Sequence, residues 1–149
     1  YVGGFSPRKN IIGLIEAFSL ITPKNRKNTK LVITGKKGVS YGKYKKRADE
    51  LNLKDDVIFT DFIPVEDMPI FYNATELLVY PSFYEGFGLP PLEAMCCKTP
   101  VITSNLTSIP EVTEDSALLI NPSNKDELSD AIKKIRNKGS RKNFEKSFS

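Results

Sequence analysis

Short apolar segments that alternate with helical patterns are the feature that most restricts how this chain can fold. Six segments predict strands, at 1–2, 31–34, 57–59, 77–80, 100–103 and 117–120. They are short and almost continuously apolar, which is typical of strands buried on both faces of a parallel sheet. Right-handed crossovers then place helices on both faces. The sequence therefore predicts an α/β fold, a doubly wound, Rossmann-like parallel sheet of about six strands.

Apolar residues at helical spacing fill the intervals between those strands. The predicted helices are 9–21, 41–51, 66–73, 90–97 and 125–137, and the tail from Ser140 is a candidate for one more. Asn124 or Ser123 is the expected cap of the last of these five. Residues 23–28 are predicted to form a loop. The pattern contains no repeat and no interior linker, so it indicates one domain over residues 1–149.

Composition excludes some classes of site and partner. Apolar residues make up 40% of the chain and charged residues 27%, as in ordinary globular proteins. Cys96 and Cys97 are neighbours that rarely pair with each other, and without histidine they cannot complete a metal site, so we expect two reduced, packed cysteines. The first 50 residues carry a net charge of +9. We expect a solvated lysine-rich surface there and no nucleic-acid partner, because the basic stretch 43–47 lacks the interleaved aromatic residues of single-strand binders.

The strongest functional pattern is the loop that follows the predicted strand 77–80 and opens the helix 90–97. Gly86 and Gly88 allow the backbone to approach a ligand, and the amides of residues 86–89 are available hydrogen-bond donors at the start of a helix. Glu85 precedes the helix, and Glu93 lies within it, eight positions later. Carboxylates beside such a turn suit a polyhydroxyl ligand, since each accepts hydrogen bonds from two neighbouring hydroxyls.

The segment from Glu85 to Glu93 resembles the E-x7-E motif of retaining GT-B glycosyltransferases of the group 1, or GT4, type. The resemblance continues in order along most of the chain, through residues 1–10, 80–82, 99–105 and 109–112. It implies that residues 1–149 are the C-terminal half of a GT-B fold, the nucleotide-sugar donor-binding domain. It also implies that an N-terminal acceptor domain is absent from this chain, in agreement with a start at Tyr1 that reads as the middle of a strand.

The resemblance implies a role for each matching residue. Glu93 is similar to the glutamate that holds the nucleotide ribose, and Glu85 to the one beside the donor sugar and its leaving phosphate. Lys9 matches the lysine that neutralises the diphosphate, so it joins Glu85 in the catalytic set, with Arg8 as a helper. The remaining donor-binding positions are Gly86, Phe87, Gly88 and Leu89, whose amides would contact sugar hydroxyls or the diphosphate, and Phe62 and Ile63, which would border the base.

Ordinary structural explanations compete with these roles. Glu93 could be a plain exposed helix residue, and Glu85 could simply favour a helix N-terminus. Lys9 could be a solvated lysine, and Phe62 could belong to the core. The chain also departs from the family twice. Many relatives carry an arginine where Gly4 stands, so Lys9 and Arg8 must carry the phosphate charge here, and relatives usually place a glycine at Lys98. A lysine in the left-handed conformation of that glycine should cost about 1 kcal/mol.

The implied reaction moves a hexose of the mannose or glucose class from a nucleotide-diphosphate sugar to a saccharide or lipid-linked acceptor in surface polysaccharide synthesis, with retention. No cofactor or metal is expected, because cations and helix-start amides can stabilise the leaving diphosphate and the chain has no Asp-x-Asp motif. The fragment alone should be inactive, since the acceptor domain is absent and the chain contains no histidine. The expected location is the cytoplasm, and peripheral association of the full-length enzyme with the inner face of the plasma membrane stays open.

Two other classes of function compete with a transferase. A non-catalytic nucleotide- or sugar-binding module would bind the nucleotide without any turnover by the full-length protein. A nicotinamide-dependent oxidoreductase is disfavoured, because no G-x-G-x-x-G follows the first predicted strand. The sequence leaves the base, the sugar and the acceptor open.

Overall fold

A computed structural model describes residues 1–137, so the candidate helix from Ser140 lies outside the described residues. The strands are β1 (Leu31–Ile33), β2 (Val57–Phe59), β3 (Leu78–Tyr80), β4 (Val101–Ser104) and β5 (Leu118–Ile120). β1 pairs with β2, and a second group runs in the order β3, β4, β5, all in parallel. Five of the six predicted strands are therefore confirmed, and the first is a single parallel bridge from Val2 to Thr34.

Helices fill the intervals between the strands. They are α1 (Ile11–Ser19), α2 (Pro23–Arg26), α3 (Tyr41–Glu50), α4 (Met68–Ala74), α5 (Leu89–Cys96), α6 (Ile109–Thr113) and α7 (Lys125–Arg136). Asn124 caps α7, since its side chain accepts the Glu127 amide at 3.0 Å. The predicted loop at 23–28 was wrong, because Thr22 accepts the Asn25 amide and Pro23 takes the first helical position.

The two groups of strands meet around Tyr1. Its carbonyl oxygen accepts the Thr34 amide beyond β1 at 2.9 Å, while its ring stacks on Tyr80 of β3 with 5.9 Å between centroids. Helices α1, α3 and α7 pack together as one set, and α4, α5 and α6 pack together as another. Parallel strands with two sets of packed helices agree with the predicted Rossmann-like α/β class.

Close backbone contact defines the edge where the parallel strands end. The Gly3 amide donates to the Thr34 carbonyl at 3.0 Å, and a Cβ on Gly35 would lie only 1.9 Å from the Gly3 carbonyl oxygen. Only glycine fits at residue 35, because any side chain would collide with the backbone of the loop that begins at Gly3. The loop of residues 3–10 therefore passes directly over the end of β1.

The C-terminal end of α5 bears out one sequence expectation and corrects another. Lys98 has φ 57°, the left-handed conformation expected for the glycine that it replaces. Cys96 and Cys97 are free thiols, but Cys96 is exposed at the last position of α5, so the expectation that both would be packed was wrong. The helix ends there, and its final residue faces solvent rather than the sheet.

Candidate functional site

Three loops at the carboxyl ends of the strands meet to form the candidate site. They are residues 3–10, 81–88 and 105–108. The Arg8 carbonyl accepts the Phe83 amide at 2.8 Å, which joins the first loop to the second. The Glu85 amide donates to the Thr107 hydroxyl at 3.3 Å, and the Ser108 hydroxyl donates to the Glu85 carbonyl at 3.1 Å. Glu85 is thus held through its backbone by the third loop.

Lys9 and Glu85 lie together at the centre of this junction. Their side chains form an ion pair and are almost fully buried, with the two residues 9% and 8% exposed. The Lys9 ammonium also donates to the Tyr80 hydroxyl at 3.0 Å and lies 5.3 Å from the centroid of that ring. The structure therefore brings both predicted catalytic residues into one cluster, and a tyrosine that sequence reasoning missed completes it.

The charge state of the cluster follows from its contacts. Burial by itself would raise the pKa of Glu85, but hydrogen bonds, the largest of them from Lys9, together with the positive charge of Lys9 hold that pKa below its usual range. Burial and the negative charge of Glu85 raise the pKa of Tyr80. The cluster therefore contains an ionised carboxylate beside a neutral phenol.

Arg8 adds a second cation at the rim of the cluster. Its Nη1 atom lies 3.8 Å from Glu85 Oε2 and 3.5 Å from the Tyr84 carbonyl oxygen, and its side chain is 53% exposed. These contacts are long, and an exposed ion pair of this kind stabilises the fold little. The guanidinium is thus more exposed to a ligand than the Lys9 ammonium, which has Glu85 and Tyr80 as close partners.

Asn10 holds the junction together, although sequence reasoning gave it no role. It is buried, with φ 58°, and its amide donates to the carbonyls of Pro81 at 3.0 Å and Pro122 at 2.8 Å. One side chain thereby joins the start of α1 to the loops after β3 and β5. An asparagine just before a helix, following Pro7 and in front of an apolar run, looks like a helix cap, so the sequence conceals this second use.

The glycine-containing turn presents free backbone donors. Gly88 has φ +87° at the cap of α5, a conformation that favours glycine, and the next residue, Leu89, opens the helix. The amides of residues 86–89 donate to no other residue in the range 1–137. Gly86, Phe87 and Leu89 are exposed. The amides are therefore available, as the sequence predicted, and unused donors at a helix start suit an anion.

Glu93 lies apart from this cluster. It is exposed on α5, and the Tyr72 hydroxyl donates to its Oε2 atom at 2.7 Å. Within residues 1–137, no hydrogen bond or ion pair connects Glu93 to Lys9 or Glu85. The structure thus separates the two motif glutamates into a buried site and an exposed one.

Phe62 and Ile63 follow β2 in an irregular link. The Phe62 side chain is 65% exposed, so the alternative that Phe62 belongs to the core is wrong. Asp61, which sequence reasoning passed over, accepts the Phe62 amide at 2.8 Å and the Lys37 amide at 3.4 Å. These backbone hydrogen bonds lower the pKa of Asp61 and fasten the link to the loop after β1.

The candidate site lies apart from a sizeable cavity in the described part of the chain. A cavity of about 680 Å³ lies between β1 and β3, and none of the predicted site residues lines it. Across the described range, no group of three or more histidine, cysteine or acidic side chains is arranged to hold a metal ion. In the part of the chain that the structure describes, no helix has the length and apolar character needed to cross a membrane.

Comparison with known proteins places this arrangement in context. A family model described as "Glycosyl transferases group 1" matches residues 1–147. The chain is 40% identical over 129 residues to O-antigen chain mannosyltransferase B of Escherichia coli. The alignment covers 87% of this chain and 34% of that protein. The chain thus spans about a third of the length of this curated relative.

Solved structures give the same result for the fold. Sucrose-phosphate synthase from Thermosynechococcus elongatus matches with a TM-score of 0.87 and 31% identity, over 99% of this chain and 38% of that one. A mutant of S. aureus TarM, in complex with UDP, fondaparinux and alpha-GlcNAc-glycerol, matches with a TM-score of 0.87 and 26% identity, over 99% of this chain and 30% of that one.

Proposed function

Because this chain belongs to the group 1 glycosyl transferases, the family indicated by its motifs, we propose that it binds the nucleotide-diphosphate sugar of a retaining glycosyltransferase. One observation carries the proposal: the Lys9–Glu85 pair lies in the same junction of loops as the free amides of residues 86–89. A cation and unused helix-start donors suit a diphosphate, and an ionised carboxylate suits the hydroxyls of a sugar.

The other predicted residues complete the proposed donor site. Glu93, exposed and with a single neutral partner, has acceptor positions left for the ribose hydroxyls. Phe62 and Ile63 border the base, where the exposed Phe62 ring offers an apolar face. Arg8, half-exposed at the rim, supplies the second positive charge that relatives obtain from an arginine at the position of Gly4.

The chemistry that we propose is the breaking of the bond between the anomeric carbon and the diphosphate. The bond's electron pair leaves with the diphosphate, the acceptor hydroxyl forms the new bond on the same face, and its proton passes to the departing phosphate oxygen. Lys9, Arg8 and the amides of residues 86–89 stabilise the growing negative charge at fixed positions. In this scheme, these cations serve in place of a divalent metal, and no cofactor is used.

The comparisons guide the choice of substrate. The relative named as an O-antigen chain mannosyltransferase favours a hexose of the mannose or glucose class and a saccharide or lipid-linked acceptor of a surface polysaccharide. The structural match to a UDP complex favours a nucleoside diphosphate as the leaving group. We propose that the acceptor binds to a further domain and that the reaction takes place in the cytoplasm.

A thermal-shift panel of UDP, GDP and ADP tests the donor-binding role. A nucleotide present at 100 times its dissociation constant should stabilise the fold by about 2.7 kcal/mol. We expect one base to be preferred, and the panel identifies it. Failure of all three nucleotides to raise the unfolding temperature at millimolar concentration would contradict the proposal.

A turnover assay separates the enzyme from a non-catalytic binding module. We expect no sugar transfer by residues 1–149 alone and measurable transfer by the full-length protein with the matching nucleotide sugar. Addition of EDTA should leave that transfer unchanged, because Lys9 and Arg8 take the place of a metal. Nucleotide binding without turnover by the full-length protein would favour the binding module.

A further inference from the structure

Tyr72 is a core residue whose hydroxyl reaches the surface of the candidate site. The residue is only 1% exposed, yet its hydroxyl lies 2.7 Å from Oε2 of the exposed Glu93. The ring of Phe71 lies edge-on to the Tyr72 ring, with 6.3 Å between centroids. The Tyr72 hydroxyl therefore donates its hydrogen to the Glu93 carboxylate, which we place at the ribose.

The turn that follows α5 fixes the position of Tyr72 by a hydrogen bond to the Tyr72 backbone. The Thr99 hydroxyl donates to the Tyr72 carbonyl at 2.8 Å. Thr99 follows Lys98, whose left-handed turn ends the helix, and the Thr99 amide returns to the Ala94 carbonyl at 2.9 Å. α5 thus contacts Tyr72 through the side chain of Glu93 and again through the turn after its last residue.

The hydrogen bond from the fixed Tyr72 phenol limits the conformations of the exposed Glu93 side chain. Free glutamate side chains populate many rotamers, and ordering one on a ligand opposes binding. A hydrogen bond from a rigid core residue restricts Glu93 before the ligand arrives. Burial, followed by the hydrogen bond to Glu93, raises the pKa of Tyr72, so the phenol stays protonated and acts as a donor throughout the physiological range.

We propose that Tyr72 is a positioning residue for ribose recognition, which orients the Glu93 carboxylate so that its remaining acceptor positions face the 2′- and 3′-hydroxyls of the nucleotide. The inference rests on the proposed function, because it takes Glu93 as the ribose ligand. It adds a residue outside the motif, on a different helix, to the determinants of donor affinity.

The test compares ribonucleotides with deoxyribonucleotides on Tyr72→Phe, which removes the hydroxyl and keeps the ring. Calorimetry with UDP and 2′-deoxy-UDP, and with GDP and 2′-deoxy-GDP, gives the ratio of affinities. We expect Tyr72→Phe to weaken the preferred ribonucleotide about 5-fold, as for a lost hydrogen bond, and the 2′-deoxy form less than about 2-fold. The matched control is Tyr44→Phe, a buried tyrosine on α3, which should change neither affinity.

Glu93→Gln separates this inference from the proposed function. If Glu93→Gln weakens the ribonucleotide but Tyr72→Phe affects the ribo and deoxy forms equally or not at all, the positioning role is refuted and the donor site stands. If Glu93→Gln has no effect, the ribose assignment itself is refuted. The ratio of ribo to deoxy affinity comes from folded molecules only, so a partial loss of stability in Tyr72→Phe does not imitate positioning. In the double variant, Tyr72→Phe should add almost nothing to Glu93→Gln.

Discussion

The two motif glutamates lie in opposite environments although they are only eight positions apart. Glu85 is buried against Lys9 and its backbone is hydrogen-bonded to two hydroxyl side chains of another loop, whereas Glu93 is exposed and has one neutral partner. Burying charged groups costs free energy unless they are paired, so Glu85 is tied to the stability of the fold. Glu93 is exposed, so no such cost applies to its charge. The same chemical group is thus buried and paired at one end of the motif, beside the proposed sugar site, and exposed at the other, where we place the ribose.

The largest expected effect is the loss of stability in Lys9→Met. The variant leaves Glu85 buried without its main partner, and breaking a buried pair in this way costs about 3–5 kcal/mol. Arg8, at 3.8 Å from Glu85, should keep the loss near the lower end of that range. Urea unfolding followed by circular dichroism measures the free energy of unfolding.

The double variant Lys9→Met/Glu85→Gln is the control for that experiment. It removes both charges, so most of the lost stability should return. If Lys9→Met alone unfolds at the same urea concentration as the parent, the pair is not coupled to the fold and the contrast with Glu93 disappears.

The next effect concerns Glu93. Glu93→Gln keeps the shape but removes the charge of a group that we place on two ribose hydroxyls, and charge-assisted hydrogen bonds contribute about 1.5–3 kcal/mol. Calorimetry should show nucleotide affinity about 10- to 150-fold weaker. Stability should change by less than about 0.5 kcal/mol, because the residue is exposed. A loss of stability comparable to that of Lys9→Met would show that the two regions do not differ as proposed.

Glu85→Gln should impair the transfer of the sugar and leave nucleotide binding intact. It removes a negative charge beside Lys9, so the binding of an anionic diphosphate should not weaken. Transfer of the sugar by the full-length protein should fall, because the carboxylate beside the donor sugar is lost. Calorimetry and a turnover assay on the same variant separate the two outcomes. Weaker nucleotide binding would place Glu85 on the nucleotide instead.

Lowering the pH should have a smaller effect on stability, through protonation of Glu85 in the buried pair. The folded-state pKa of Glu85 lies below its ordinary value of 4.5, so the stabilisation is fully present above about pH 4.5 and is lost as the pH falls through the folded-state value. The stability of the parent relative to Lys9→Met/Glu85→Gln should therefore fall below pH 4.5. Urea midpoints at pH 7 and pH 3.5 measure it. A difference that is constant with pH would contradict the ionised state of Glu85.

The smallest predicted effect tests the departure at Gly4. A Cβ added there meets no atom within 4 Å, so Gly4→Arg should fold normally. The added cation should strengthen diphosphate binding by about 1 kcal/mol, or roughly 5-fold. Gly4→Gln, a polar side chain without the charge, is the control. Equal affinities for the two variants would show that residue 4 does not face the phosphates.

The sequence predicted the strands and long helices well, because periodicity reports burial directly. Periodicity did not predict the two shortest helices, because α2 depends on capping by the hydroxyl of Thr22 and α6 is only five residues long. The motif located the site loops, but contacts between distant residues could not be read from it. Tyr80 and Tyr72 lie in apolar segments that look like core, and only the fold shows that their hydroxyls reach Lys9 and Glu93.

Gly35 has a consequence for how mutational data on this protein should be interpreted. A side chain at residue 35 would push against the carbonyl of Gly3 and displace the loop that carries Lys9. In a saturation screen scored by activity, residue 35 would therefore tolerate almost no replacement and would be grouped with residues that touch the substrate. A parallel screen scored by cellular abundance would assign it correctly, since the defect begins with the backbone crossing and reaches the ligand only through the displaced loop.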